Sequence, residues 1–167
     1  MGERVAVLAD GKLQQVAPPQ EVYDRPANLF VAEFIGSPAM NFVDTEPAQL
    51  DGAKGLRATD TFVHLSDALW STVQAAGAPK IVVGVRPEHL VPFEGAAGAY
   101  AVTFGGKVDL VESLGSEQHV IVALTHGSFT VRLAGDARVA AGASLRLGVV
   151  SAHLHLFDAA SGWRIGP

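Results

Sequence analysis

The chain has 167 residues, which is enough for one domain of ordinary size with one sizeable core. Its net charge is -5 and its 12 lysines and arginines are scattered singly, which argues against a nucleic-acid partner. Cysteine is absent, so disulfides and thiolate chemistry are excluded, and no apolar run approaches the roughly 20 residues of a membrane span. With no secretory signal pattern at the start, these features favour a cytoplasmic protein.

The first 37 residues predict a β-hairpin followed by two short helices. Apolar segments at 5–8 and 13–16 flank Asp10-Gly11, a dipeptide that supplies the positive φ angles of a tight hairpin turn. Two prolines begin a first helix over 18–24, and a proline after Arg25 ends it. Asn28 caps a second helix that closes at Gly-Ser-Pro.

The second helix carries an apolar face formed by Phe30, Val31, Phe34 and Ile35. The first 37 residues contain too few apolar side chains to bury this face themselves. We therefore expect it to rest on a larger neighbouring body.

From Asn41 onward the pattern changes to that of a mainly β domain. Glycines and prolines recur about every ten residues between short runs of Val, Leu and Ile, which is the spacing of turns in an all-β fold. A segment at 68–76 fits one helical turn or a loop. The predicted strands are 41–45, 56–65, 81–85, 99–111, 119–124, 128–133, 144–150 and 154–157.

Two segments of this β region, 81–94 and 145–158, resemble each other at an offset of 64 residues. The match is either a coincidence between two strand-turn-strand segments or a duplicated unit with approximate symmetry inside one β-barrel. The residues that recur identically are Gly84, Val85, His89, Leu90 and Phe93, as Gly148, Val149, His153, Leu154 and Phe157.

No pattern in the chain indicates catalysis, a cofactor or a metal. A GxxxxGK[ST] phosphate loop and a GxSxG nucleophile elbow are both absent from the sequence. His153 and His155 are spaced as zinc ligands on a strand could be, but no third ligand has diagnostic spacing. We therefore predict that the chain is not an enzyme and binds neither a cofactor nor a metal.

Two polar segments are candidate contact sites. The first is a corner after an apolar strand, where proline fixes a turn and the charged side chains either satisfy local groups or face a partner. The second is a loop that displays two carboxylates, either to solvent or to a partner. The corner consists of Arg86, Pro87, Glu88 and His89, and the loop contains Glu112, Gly115, Ser116 and Glu117.

Four motifs give the chain a resemblance to a known family, and a weaker fifth is VESLGSE at 111–117. The four are RVAVL at 4–8 with DGKLQQV at 10–16, YDRPANLFVA at 23–32, FIGSPAMNF at 34–42 and GVRPEHL at 84–90. Together they resemble the C-terminal part of the ATPase subunit of sugar-importing ABC transporters of the maltose and glycerol-3-phosphate type.

The resemblance implies a division of the chain at residue 37. Residues 1–37 correspond to the end of a nucleotide-binding domain, whose ATP-binding core lies outside this chain. Residues 38–167 correspond to a regulatory (TOBE) domain built on an OB-type β-barrel. The residues that the resemblance assigns to the linker between the two are Gly36, Ser37, Pro38, Met40, Asn41 and Phe42.

The function implied by the resemblance is that of a regulatory and dimerising module without ATPase activity of its own. Its expected partners are a second copy, the ATPase core, the transmembrane permease subunits and a cytoplasmic regulator protein. It would lie at the inner face of the cell membrane as part of a transporter. The alternative is a small-molecule sensor for sugars or oxyanions, which would need a concave polar pocket.

Overall fold

The computed structural model describes residues 3–125 and 127–166. Met1, Gly2, His126 and Pro167, which belong to the predicted segments 1–37 and 38–167, lie outside the described residues. The elements of the first half are β1 (Val5–Ala9), β2 (Lys12–Ala17), α1 (Pro19–Asp24), α2 (Leu29–Phe34), β3 (Asn41–Leu50), β4 (Ala53–Arg57), β5 (Phe62–His64), α3 (Asp67–Ala76) and β6 (Ile81–Val85). Those of the second half are β7 (Val91–Pro92), β8 (Val102–Ser113), β9 (Glu117–Leu124), β10 (Gly127–Ala134), β11 (Ser144–Val149) and β12 (His155–Asp158). Two 3-10 turns lie at Pro87–His89 and Ser151–His153. Together with the residue that caps each turn, they form the first corner (86–89) and the second corner (150–153).

The hairpin and two short helices form an N-terminal unit, as the sequence predicts. The hairpin turns through Asp10 and Gly11, which both adopt positive φ. The Asn28 side chain accepts a hydrogen bond of 3.0 Å from the Val31 amide and so caps α2. A small core of Val7, Ala17, Val22 and Val31 holds the unit together.

The apolar residues of α2 are only partly covered. Val31 is buried and Ile35 packs on the small core, whereas Phe30 is 40% and Phe34 69% exposed. The two phenyl rings stack on each other with centroids 5.8 Å apart. In the described part of the chain, this pair forms an apolar patch that is exposed at the surface.

The remaining strands form two antiparallel five-stranded sheets. One has the order β10-β9-β8-β11-β7 and the other the order β12-β6-β3-β4-β5. The main core fills the space between them and includes Leu56, Ile81, Val83, Leu90 and Leu147. This mainly β, OB-type architecture confirms the predicted fold class.

Two local predictions are corrected by the structure. The segment 56–65 is not one strand, because residues 58–61 form a turn closed by a bond from the Ala58 amide to the Thr61 carbonyl. Residues 67–76 form a complete α-helix, α3, with Ser66 as its N-cap. No helix within 3–125 and 127–166 is long and apolar enough to cross a membrane.

The two corner segments exchange strands with each other. Strand β6 leads into the first corner and pairs with β12, whereas β11 leads into the second corner and pairs with β7. Gly84 lies opposite His155, and Gly148 lies opposite Val91. At the 64-residue offset these two pairs are equivalent.

Candidate functional site

The first corner joins the N-terminal unit to the barrel through a buried arginine. Arg86 follows the fully buried strand β6 and is 1% exposed. Its guanidinium donates to the Tyr23 carbonyl at 2.7 Å and to the Ile35 carbonyl at 2.5 Å, with a longer contact of 3.4 Å to Ala32. The guanidinium also lies 4.0 Å from the centroid of the Tyr23 ring.

The carbonyls bound by Arg86 lie near the C-terminal ends of α1 and α2, where backbone oxygens lack intrahelical partners. Burial lowers the pKa of Arg86, yet a guanidinium remains charged at neutral pH. Gly36 makes the approach possible, since a Cβ at this position would lie 2.8 Å from Nη1 of Arg86. Gly36 also has φ of 126°, which disfavours other residues.

A chain of polar contacts extends from the corner to the predicted partner loop. The Tyr23 hydroxyl donates to Oε1 of Glu88. Arg132 lies between Glu88 and Glu117, with a nitrogen 3.9 Å from a carboxylate oxygen of each. His119 contacts Glu117 at 3.0 Å. The corner and the loop end are therefore linked, although contacts of 3.9 Å contribute little energy.

The pKa values of Tyr23 and Glu88 depend on their burial and on the hydrogen bond between them. Burial, and then the hydrogen bond to Glu88, raises the pKa of Tyr23 to about 12. Burial alone would raise the pKa of Glu88, but the Tyr23 hydroxyl and nearby cations hold it below its usual value. At neutral pH the pair is thus a phenol donating to a carboxylate.

The two corners meet through their histidines. The rings of His89 and His153 stack with centroids 3.7 Å apart. Burial and then the neighbouring His153 lower the pKa of His89. Beside them, Nη1 of Arg164 lies 3.0 Å from Nδ1 of His155, and burial followed by the Arg164 charge lowers the pKa of His155 to about 4.

The predicted linker residues lie against both bodies. Met40 packs with Ala32 of α2 and with Val82 and Phe157 of the barrel. Asn41 connects the two sheets, since its side-chain oxygen accepts from the Thr130 amide and its nitrogen donates to the Thr130 carbonyl, both at 2.8 Å.

Of the other linker residues, Phe42 packs against the barrel and Ser37 lies at the surface. The Phe42 ring packs edge-on against Phe157 at 6.4 Å between centroids. Ser37 is exposed, and its peptide bond to Pro38 is cis.

The predicted partner loop is mostly exposed. Glu112, Gly115 and Ser116 face solvent in the described chain, and the Ser116 carbonyl accepts from the Gly135 amide at 2.9 Å. Glu117 alone of the loop residues reaches the corner network. The structure therefore brings together the corner, Gly36 and Glu117, and leaves Glu112 apart.

The contacts of Arg86 with the Tyr23 and Ile35 carbonyls form the junction between the N-terminal unit and the barrel. Several residues at or near this junction were not predicted from the sequence. Tyr23 lies within a motif that carries the resemblance, but nothing in the sequence pairs it with Glu88. Arg132 is the one charged residue of a predicted strand, and Arg164 lies after the last predicted strand, so neither gives a local signal. Among the residues that the structure describes, no group of three or more His, Asp or Glu side chains is placed to hold a metal ion.

Comparisons with known proteins identify the family. The MalK OB fold domain model matches residues 36–90, and the TOBE domain model matches residues 83–157. The chain belongs to the OB/TOBE part of the sugar ABC importer ATP-binding subunits. The two matches overlap at residues 83–90, a range that contains Arg86 and the first corner.

Two relatives illustrate the extent of the similarity. The uncharacterized ABC transporter ATP-binding protein YurJ of Bacillus subtilis is 37% identical over 161 residues, covering 95% of this chain and 44% of YurJ. The trehalose import ATP-binding protein SugC of Mycobacterium tuberculosis is 39% identical, covering 97% of this chain and 47% of SugC. The chain thus spans less than half the length of these relatives and matches their C-terminal OB/TOBE part.

A solved structure shares the fold. The cytoplasmic molybdate-binding protein ModG aligns with a TM-score of 0.52, covering 70% of this chain and 94% of ModG. The sequence identity is 12%, so the likeness concerns the fold alone.

Proposed function

We propose that the chain is the regulatory and dimerising module of a sugar importer ATP-binding subunit and does not hydrolyse ATP itself. The observation that carries this proposal is the Arg86 junction. A buried charge bonded to the ends of both α1 and α2 fixes the N-terminal unit to the barrel. A movement of the barrel would therefore also move the N-terminal unit. By family resemblance, this unit adjoins the ATPase core.

The exposed surface of the N-terminal unit fits contact with that core. Leu8 and Leu13 form a cross-strand pair on the hairpin and are 60% and 59% exposed. The stacked Phe30 and Phe34 add further apolar surface. Apolar groups exposed on a small unit favour burial against a partner body. In the whole subunit we assign this surface to the ATPase core, at the cytoplasmic side of the permease subunits.

Self-association is assigned to the barrel, which also carries exposed large apolar side chains. Two identical surfaces meeting across a twofold axis would cover them most simply, and a regulator protein could dock on what remains exposed. An interface of ordinary size, roughly 800 Å² per partner, is compatible with affinities from micromolar to far tighter. The exposed large apolar residues of the described barrel are Leu50, Val91, Leu110, Leu114, Val150 and Trp163.

Sedimentation equilibrium at increasing protein concentration tests this assignment. We expect reversible formation of a dimer of the 17.4 kDa chain. The variants Leu110→Asp and Leu50→Asp place the same charge on different strands, so a selective loss of dimer identifies the contact surface. A single 17.4 kDa species at several hundred micromolar, in agreement at every speed, would rule out dimerisation.

The absence of ATPase activity is tested by calorimetry with Mg-ATP. No GxxxxGK[ST] loop is available to hold phosphates with successive amides and a lysine. We expect no saturable heat of binding. An affinity in the micromolar range would contradict the assignment without affecting the test of self-association.

Small-molecule sensing remains a second candidate because of a cleft between the two sheets. The cleft has a volume of about 430 Å³ and is lined by both aromatic and polar residues, including Phe42, Asp44, Thr59, Asp60 and Ser128. Carboxylates and hydroxyls beside aromatic rings are suited to a neutral sugar. Titration with the sugars of candidate importers, followed by changes at Ser128 and Thr59 in NMR spectra, tests this alternative.

A further inference from the structure

A second cleft lies where the N-terminal unit meets the two corners. It consists of two adjoining cavities of about 260 and 520 Å³ that share Asp24, Ala152 and His155 in their walls. We call the pair the junction cleft. The C-terminal end of α1 forms one side, and the stacked histidines of the two corners form the other.

Among the charged and titratable side chains of the junction cleft, nitrogen-bearing groups outnumber carboxylates. Asp24 is the carboxylate among the described residues that line the cleft. The carboxylate of the nearby Glu88 accepts a hydrogen bond from the Tyr23 hydroxyl and is not part of the lining. This excess of basic groups occurs in a chain whose net charge is -5. The basic lining residues are Arg25, Arg86, Arg164, His89, His153 and His155.

Two buried nitrogens at this cleft make no hydrogen bond within the described residues. They are Nε of Arg86 and Nδ1 of His89, both inaccessible to solvent in the present side-chain positions. The whole Arg86 residue is only 1% exposed. Buried polar atoms in folded proteins almost always have partners. The Nε–H of Arg86 is always a donor, so this unpaired group on a residue of the cleft wall indicates a ligand that accepts hydrogen bonds.

The tautomer of His155 adds another donor. A guanidinium has no acceptor, so Nδ1 of His155 must accept from Arg164. The proton of the neutral ring is then on Nε2, and the side chain is a hydrogen-bond donor.

We propose that the junction cleft binds a phosphate-class anion, either free phosphate or the phosphate group of a small metabolite. The smaller cavity, with Arg86 and the histidines, receives the phosphate, and the larger cavity has room for an attached carbon skeleton. Such an anion would contact α1 and both corners at once, so it would strengthen the attachment of the N-terminal unit. The proposal gives a place and a ligand class to the sensing alternative and does not depend on self-association or on the cleft between the sheets.

Histidine NMR is the direct test, with inorganic phosphate, glucose 6-phosphate and neutral glucose as probes. We expect saturable shifts of the Cε1–Hε1 signals of His89, His153 and His155. The signals of His64 and His119 serve as internal controls and should not move. Equal affinity for the two phosphates identifies free phosphate as sufficient, whereas tighter binding of the ester places the sugar in the larger cavity.

Three exposed charges provide variants that should fold normally. Arg25→Glu should weaken phosphate binding about tenfold, and Asp24→Asn should strengthen it about threefold, because charge near the anion changes while the buried contacts remain. Arg57→Glu, on β4 beside a different cavity, is the matched control and should leave the affinity unchanged.

The following results would overturn the proposal. One is the absence of saturable shifts with both phosphates up to about 20 mM, which corresponds to binding too weak to be specific. Another is an equal loss of affinity in Arg25→Glu and Arg57→Glu, which would indicate attraction by overall charge. Equal shifts with glucose would exclude recognition of the anion. None of these results bears on dimerisation or on ATP binding.

Discussion

Replacement of Arg86 by methionine tests the junction that couples the N-terminal unit to the barrel. Methionine keeps much of the side-chain volume but removes the bonds to the Tyr23 and Ile35 carbonyls. Hydrogen bonds to a charged group contribute about 1.5–3 kcal/mol each, so two bonds correspond to about 3–6 kcal/mol. Removal of the buried charge recovers part of its desolvation cost, and we expect a net loss of about 3–4 kcal/mol.

The loss is large compared with the ~5–15 kcal/mol stability of an ordinary domain. It should appear in urea unfolding followed by the fluorescence of Trp70 and Trp163, as a lower midpoint or as a separate early transition. Hydrogen exchange should locate the effect, with a larger increase in exchange rate on substitution in α1 and α2 than in β6. The early transition is expected if the N-terminal unit detaches while the barrel stays folded.

Arg146→Met is the matched control. Arg146 is exposed, donates one bond of 2.9 Å to the Gly95 carbonyl and lies 4.5 Å from the Phe93 ring, so its loss should cost less than about 1 kcal/mol. If Arg86→Met is no more destabilising than this control, and exchange in α1 and α2 is unchanged, Arg86 does not hold the two bodies together.

Three further predictions concern the barrel and its attachment. The pKa of His155 is lowered from 6.5 to about 4, so unfolding in acid takes up a proton at this residue. The free energy of unfolding should therefore fall by about 3 kcal/mol as the pH decreases from 6.5 to 4. Urea titrations should show a smaller decrease for His155→Gln. Asn41→Ala should cost about 2–3 kcal/mol, because two bonds to the Thr130 backbone are removed, and a cost below that of an exposed Asn→Ala change would refute this role. In a proven monomer, the amides of 30–35 should exchange faster than those of 81–85, and equal protection would contradict the expected lack of support for α2.

The sequence predicted those features that depend on neighbours along the chain. Asp10-Gly11 specifies its turn, and Asn28 caps α2, by local hydrogen bonding and backbone conformation. Helix α3 has similar local signals, namely Ser66 before it and Gly77 after it. The turn at 58–61 contains neither glycine nor proline, so the break between β4 and β5 gave no comparable signal.

The junction itself depends on contacts between distant residues. Arginine is rarely buried, and the carbonyls that Arg86 binds lie 51 and 63 residues away. A backbone carbonyl has no sequence signature, so the acceptors could not be identified in advance. The resemblance singled out GVRPEHL as a motif, but only the folded chain places Arg86 beneath α1 and α2.

The exchange of β7 and β12 has a consequence for how the barrel is assembled. Residues 41–92 end in a strand that pairs with β11, and residues 102–158 end in one that pairs with β6. A cut in the connection 93–101 would give two fragments that each carry a strand belonging to the sheet of the other. Separately, each fragment would expose an unpaired edge, and together they would reassemble by mutual strand donation. The barrel is therefore suited to a split reporter, in which recovery of the fold records the meeting of its two halves.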